Sequence, residues 1–75
     1  MKAYSLIQTN SSVKDVVSAL RRISGVRTAD AVAGPYDVIC TIEAGSLADV
    51  GGILSSKIDP ISGVARTITC LVLAE

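Results

Sequence analysis

Gly34-Pro35-Tyr36-Asp37 sets a turn directly ahead of an apolar run, Val38 to Ile42. A turn uses Gly and Pro, but it has no need of a carboxylate aimed along the strand that follows. Near the end of the chain, Thr67 and Thr69 alternate, which places two hydroxyls on one face of a strand. Arg66 and Glu43 flank these groups. Together they suit recognition rather than bond-making. Backbone N–H groups in a turn can hold a carboxylate, and Asp37 can accept hydrogen bonds from an ammonium. The threonine hydroxyls can add to either, so the set fits a free amino acid. Each residue also has a plain structural account. Asp is common in turns because it bonds its own backbone. Thr is common in strands because it is β-branched, and Tyr36 suits a core or interface aromatic. Spacing alone leaves both accounts open.

Composition narrows the field. The chain has 75 residues and no His, so the most common general base is missing. Cys40 and Cys70 are far apart and form no Cys-x-x-Cys pair, which leaves a zinc or copper site without its usual ligands. We expect no metal, no cofactor and no enzyme activity. Both cysteines fall in apolar strand patterns and are expected to be free, buried and small. Seven Lys and Arg balance seven Asp and Glu, and no basic block is present, so specific DNA binding by this chain itself is not expected. Arg21-Arg22, the one basic pair, falls near the end of a predicted helix, where cations suit the helix dipole. No apolar run approaches the ~18 residues of a membrane span, and the first residues turn polar too soon for a signal peptide. The expectation is a cytoplasmic protein with no membrane partner. Yet 49% of the residues are hydrophobic and the mean hydropathy is +0.53. A domain this small buries only roughly 60% of its unfolded surface. A second copy of the chain is the natural cover for the remainder.

The elements that must position these residues read as two similar halves. Residues 3–9 alternate as a strand. Ser12 and Asp15 then have capping-box spacing. Val13, Val16, Val17, Leu20 and Ile23 form one helical stripe, and Gly25 stops it. Residues 26–33 and 37–43 are strands on either side of Gly34-Pro35. Ser46 and Asp49 repeat the cap, and Leu47, Val50, Ile53, Leu54 and Ile58 mark a second helix ended by Asp59-Pro60. Gly51-Gly52 weakens that helix; close packing on the sheet would account for the pair. Residues 64–73 form the last strand. Ile-Ser-Gly-Val occurs at Ile23 and again at Ile61, closing each half. The order is βαββαβ, the ferredoxin-like α+β plan: a four-stranded antiparallel sheet with two helices on one face. Strands three and four carry apolar residues on both faces. Helices cover only one face, so the other is expected to pack sheet to sheet against a second copy.

These segments resemble a known family, the effector-binding RAM domain of the Lrp/AsnC transcriptional regulators. The matching stretches are "AYSLIQT", "ISGV", "AGPYDVICTIEA" and "IDPISGVARTITCLVL", which span the whole chain in order. The Gly-x-Tyr-Asp turn is the most specific of them. The resemblance implies dimers that form through their sheets, assembly of dimers into larger even-numbered oligomers, and amino-acid effectors bound at the contacts between dimers. Carried over by position, it points to Gly34, Tyr36 and Asp37, with Thr67 and Thr69 as further members and Pro35 in the variable position. Full-length members also carry a helix-turn-helix domain. Here the sheet begins by Ala3, so residues 1–75 are expected to be a single effector-binding domain of the stand-alone type. Two roles follow: an amino-acid sensor in transcription regulation, or a pure interaction protein that joins a full-length regulator without binding a ligand.

Overall fold

The computed structural model describes residues 1–74. The chain runs β1 (Lys2–Thr9), α1 (Val13–Arg21), β2 (Val26–Ala31), β3 (Val38–Glu43), α2 (Leu47–Ile53), a π-helical turn (Leu54–Ile58) and β4 (Val64–Leu71). The four strands form one sheet in the order β2-β3-β1-β4, and each neighbouring pair is antiparallel. This is the expected βαββαβ plan.

Register decides which residues share a face. Ser5 lies opposite Cys40 on one side and Thr69 on the other, and Ile7 lies opposite Val38 and Thr67. Ala3, Ser5, Ile7, Ala29, Val38, Cys40 and Ile42 are buried on the helix side. Val16, Val17 and Leu20 of α1, Val50 of α2 and Ile58 close over them. Complete burial of an Ile or Leu side chain contributes about 1.5–3 kcal/mol, so this one layer holds the fold. Both helices start as expected. The hydroxyl of Ser12 accepts from the Asp15 N–H at 3.4 Å, and that of Ser46 accepts from the Asp49 N–H at 3.1 Å.

The Ile-Ser-Gly-Val segments build the same turn twice. Val26 N–H donates to Ile23 and Val64 N–H donates to Ile61. The carbonyl of Gly25 then accepts from Glu43, and that of Gly63 accepts from Asn10. Gly63 sits at φ 99° against Ser11 and Val16. Only glycine fits that backbone region without strain, and a Cβ there would push into both neighbours.

Four expectations need correction. The second helix does not stay α-helical to its end; its last turn widens, with Asp59 N–H donating to Leu54. At 3.6 residues per turn a straight helix would carry Ile58 roughly 80° around from Val50. The wide turn cancels that drift, and both residues are buried. Gly51-Gly52 does not pack on the sheet. Both glycines are exposed, and a Cβ on either would meet nothing within 4 Å. Gly51→Ala and Gly52→Ala should therefore each stabilise the fold by about 0.5–1 kcal/mol, read as a higher melting temperature. The fourth strand ends at Leu71, not residue 73. The second strand stops at Ala31, although Val32 still donates to Asp37.

The cysteines separate. Cys40 is buried as expected, but Cys70 is exposed. Burial pushes the Cys40 thiol above its ordinary value of 9.0, with Ser5 opposing weakly through its backbone and hydroxyl. Ser5 itself is fully buried, and its hydroxyl has no well-formed hydrogen bond among the described residues. Because the folded state keeps the Cys40 proton longer than the unfolded state, the stability this thiol contributes is present below its ordinary value of 9.0 and is lost as pH rises beyond it. In a single folded copy of the chain, a thiol reagent at neutral pH should label Cys70 and reach Cys40 only on unfolding.

Candidate functional site

The rim at the end of β1 and the start of β3 gathers the turn residues. Gly34, at φ 150°, adopts a backbone that side-chain-bearing residues rarely reach. It is exposed, with open space where a Cβ would stand. Asp37 is fixed on several sides. Its N–H donates to Ile7 at 2.9 Å and its carbonyl accepts from Val32 at 2.9 Å. Carboxylate oxygen Oδ2 accepts from the Thr9 N–H at 2.8 Å and from the Thr9 hydroxyl at 3.2 Å. Oxygen Oδ1 has no partner among the described residues. The Gly34 and Tyr36 N–H groups likewise have no intrachain partner among them. The rim thus offers one free carboxylate oxygen on Asp37, which β1 holds, and free amides at Gly34 and Tyr36 in the turn that precedes it.

Two contributors escaped the sequence reading. Thr9 locks the Asp37 carboxylate, and Gln8 donates from its side-chain amide to the Pro35 carbonyl at 3.2 Å, tying the turn to β1. The β1–β4 register shifts here: Gln8 stands opposite Arg66 and Thr9 opposite Val64, so the extra residue is Ala65 on β4 and Thr9 stays in the ladder. No local pattern in β1 announces the Thr9–Asp37 contact, which spans 28 residues.

Thr67 and Thr69 lie elsewhere within the chain. They share the helix-facing side of edge strand β4, opposite Ile7 and Ser5. The Thr67 hydroxyl donates to Asp59 Oδ1 at 3.2 Å. Gly34, Tyr36 and Asp37 are therefore together, while the two threonines stand two strands away. Arg66 is exposed on the opposite face of β4 and lies across from Gln8.

That opposite face is bare of helix. Leu6, Ile39 and Ile68 sit in one row and Thr41, Tyr4 and Cys70 in the next. Tyr4 is 40% exposed, and the aliphatic residues are half-buried. Asp30, Arg66, Glu43 and Lys2 surround this apolar centre.

The model of the Lrp/AsnC ligand binding domain matches residues 2–75. The chain belongs to the Lrp/AsnC ligand-binding domain family. The family is a regulatory one and not an enzymatic one. An uncharacterised HTH-type transcriptional regulator of Pyrococcus furiosus is 34% identical over 56 residues, 75% of this chain and 37% of that protein. The chain thus matches little more than a third of the curated relative's length. The crystal structure of a hypothetical protein from Pyrococcus horikoshii superposes with a TM-score of 0.90 at 27% identity, covering 99% of this chain and 90% of the other. A Neisseria meningitidis transcriptional regulator in complex with L-Met shares the Lrp/AsnC fold, with a TM-score of 0.89 at 16% identity, over 99% of this chain and 50% of that one. No helix among the described residues is long and apolar enough to cross a membrane.

Proposed function

We propose that this Lrp/AsnC domain is an amino-acid-sensing module that works through its own assembly. The carrying observation is the rim: Asp37 Oδ1 free, Oδ2 clamped by Thr9, and the Gly34 and Tyr36 amides unpaired beside it. A carboxylate next to free N–H groups matches the ammonium and carboxylate of an α-amino acid. The L-Met bound to the Neisseria regulator supports the same class of ligand. Two copies stack through the helix-free sheet face, whose apolar centre is otherwise open to water. Dimers then meet at their rims, where Thr67 and Thr69 contribute from a neighbouring subunit. An effector that prefers one assembly shifts the population toward it by its differential affinity. Through that shift the module modulates amino-acid-responsive transcription.

Native mass spectrometry with and without a mixture of the twenty amino acids tests this. The expected result is an even-numbered assembly that retains one amino acid per subunit or per contact. Ligand-free assemblies indifferent to the mixture would defeat the sensor reading and leave co-assembly with a full-length regulator in its place.

A further inference from the structure

We propose that four charges on the helix-free sheet face fix how a second copy docks there, with Lys2 against the partner's Glu43 and Asp30 against the partner's Arg66 around a two-fold axis parallel to the strands. The inference rests on the stacked pair proposed above and adds its orientation and the residues that choose it. The charges follow the strand order β2-β3-β1-β4. Asp30 on β2 and Glu43 on β3 make one half of the face acidic. Lys2 on β1 and Arg66 on β4 make the other half basic. Lys2 and Glu43 share a row as direct cross-strand partners. Asp30 lies in the row of Ile39, Leu6 and Ile68, and Arg66 stands one row nearer the rim, opposite Gln8. Opposite charges across a strand pair ordinarily join, yet among the described residues none of the four pairs with another. Lys2 Nζ stands over the Tyr4 ring, 5.5 Å from its centroid. Glu43 Oε1 reaches Arg27 at 4.0 Å and Asp30 Oδ1 reaches Arg21 at 3.8 Å. Both contacts are long and exposed, so they hold these acids weakly.

Aligned stacked sheets keep their strands within about 30° of one another, so the two-fold axis of such a pair runs either across the strands or along them. An axis across the strands lays β2 on the partner's β2 and β4 on the partner's β4, acid over acid and base over base. An axis along the strands reverses the order, so that β2 lies over the partner's β4 and β3 over the partner's β1. Each acidic strand then covers a basic one. Because Lys2 and Glu43 share a row, each comes directly over its opposite in the other copy. Asp30 and Arg66 are one row apart, roughly 7 Å, within the reach of an arginine. Leu6, Ile39 and Ile68 stay in the middle, where burial supplies the attraction, and the charges choose the arrangement by repelling the wrong one. The open cavity of about 450 Å³ beside Lys2, Tyr4 and Glu43 is closed by the partner's own Lys2 and Glu43. The partner that fits is therefore a chain with this same acidic-to-basic order across its sheet.

Mixing Lys2→Glu with Glu43→Lys tests this. Alone, each variant sets like charges at both Lys2–Glu43 contacts of the pair. Self-association should weaken about tenfold in sedimentation equilibrium, with far-UV circular dichroism unchanged. Mixed one to one, with one variant isotopically labelled so that native mass spectrometry separates the species, the two should form a heterodimer as tight as the parent. Both contacts are then opposite in sign again, while the charges within each chain are as they were before mixing. Lys2→Glu mixed with Asp30→Lys brings together the same net charges but leaves one repulsive contact of each kind, so these two should mix only statistically. A parent dimer that ignores the single reversals overturns the proposal and leaves the stacked pair standing. A heterodimer that forms as readily with Asp30→Lys also overturns it, because net charge alone would then explain the pairing. So does the absence of any gain when Lys2→Glu meets Glu43→Lys. A parent that is itself monomeric defeats the stacked pair, and this orientation with it.

Discussion

Asp37→Asn should weaken amino-acid binding at the rim while leaving the fold intact. The amide keeps an oxygen that can accept from the Thr9 N–H, now 2.8 Å from the carboxylate. It lacks the charge that an ammonium requires, and a hydrogen bond to a charged group is worth roughly 1.5–3 kcal/mol. Affinity should fall by about 10- to 100-fold. Asp37→Ala should do more. It also strands the Thr9 N–H at the end of β1, and leaving a part-buried donor unpaired costs about 1–3 kcal/mol. Calorimetric binding and thermal melting separate the two effects. Thr9→Val supplies the complementary case: the N–H bond remains, the hydroxyl bond at 3.2 Å goes, and the carboxylate gains freedom. Weaker binding with little change in melting temperature would identify Thr9 as a positioning residue. If Asp37→Asn binds amino acids as the parent does, the carboxylate is only a strand latch.

That prediction turns on a contact the sequence does not display. The turn, the carboxylate and the strand after it are all legible, because each is a local pattern. Thr9 is not, since it reads as the last residue of a strand and its partner is 28 positions away. Thr67 and Thr69 show the same limit from the other side. Alternation puts their hydroxyls on one face, but register decides that this face looks toward the helices. The strands, both Ser caps and the two Ile-Ser-Gly-Val turns follow from period, cap chemistry and glycine. The widened turn at Leu54–Ile58 does not, because a stripe at three- and four-residue spacing looks alike in α and π geometry. Cys70 was expected inside because its strand is apolar. An edge strand on a helix-free face has nothing above it within one chain. Gly51 and Gly52 mislead in a related way: composition reports a weak helix, and only the packing shows that the pair faces water.

Ile39→Asp should convert the assembly to a folded monomer. Ile39 lies opposite Leu6 and Asp30 on the helix-free face, so the new carboxylate points away from the core that α1 and α2 cover. Far-UV circular dichroism should therefore be unchanged. In a face-to-face pair the substitution acts twice, since a two-fold interface presents the same patch from both sides. Each copy loses about 1.5–3 kcal/mol of aliphatic burial and must desolvate a charge as well. The total exceeds about 4 kcal/mol, a shift of at least a thousandfold in the dimer constant, which sedimentation equilibrium would read directly. Cys70, two residues from Ile68 on the same face, provides an internal check, because a thiol shielded by a partner copy should react faster in Ile39→Asp than in the parent. The rim depends on this face in turn. If effectors lie between dimers, the monomer should lose amino-acid binding although Asp37 and Thr9 are untouched. A monomer that still binds at the rim would place the whole site within one chain, and the link from ligand to assembly would then have to run through the strand pairing at Gln8 and Thr9 rather than through shared contacts. An Ile39→Asp protein that remains dimeric would mean that the copies meet along a strand edge, and the open face would need another occupant.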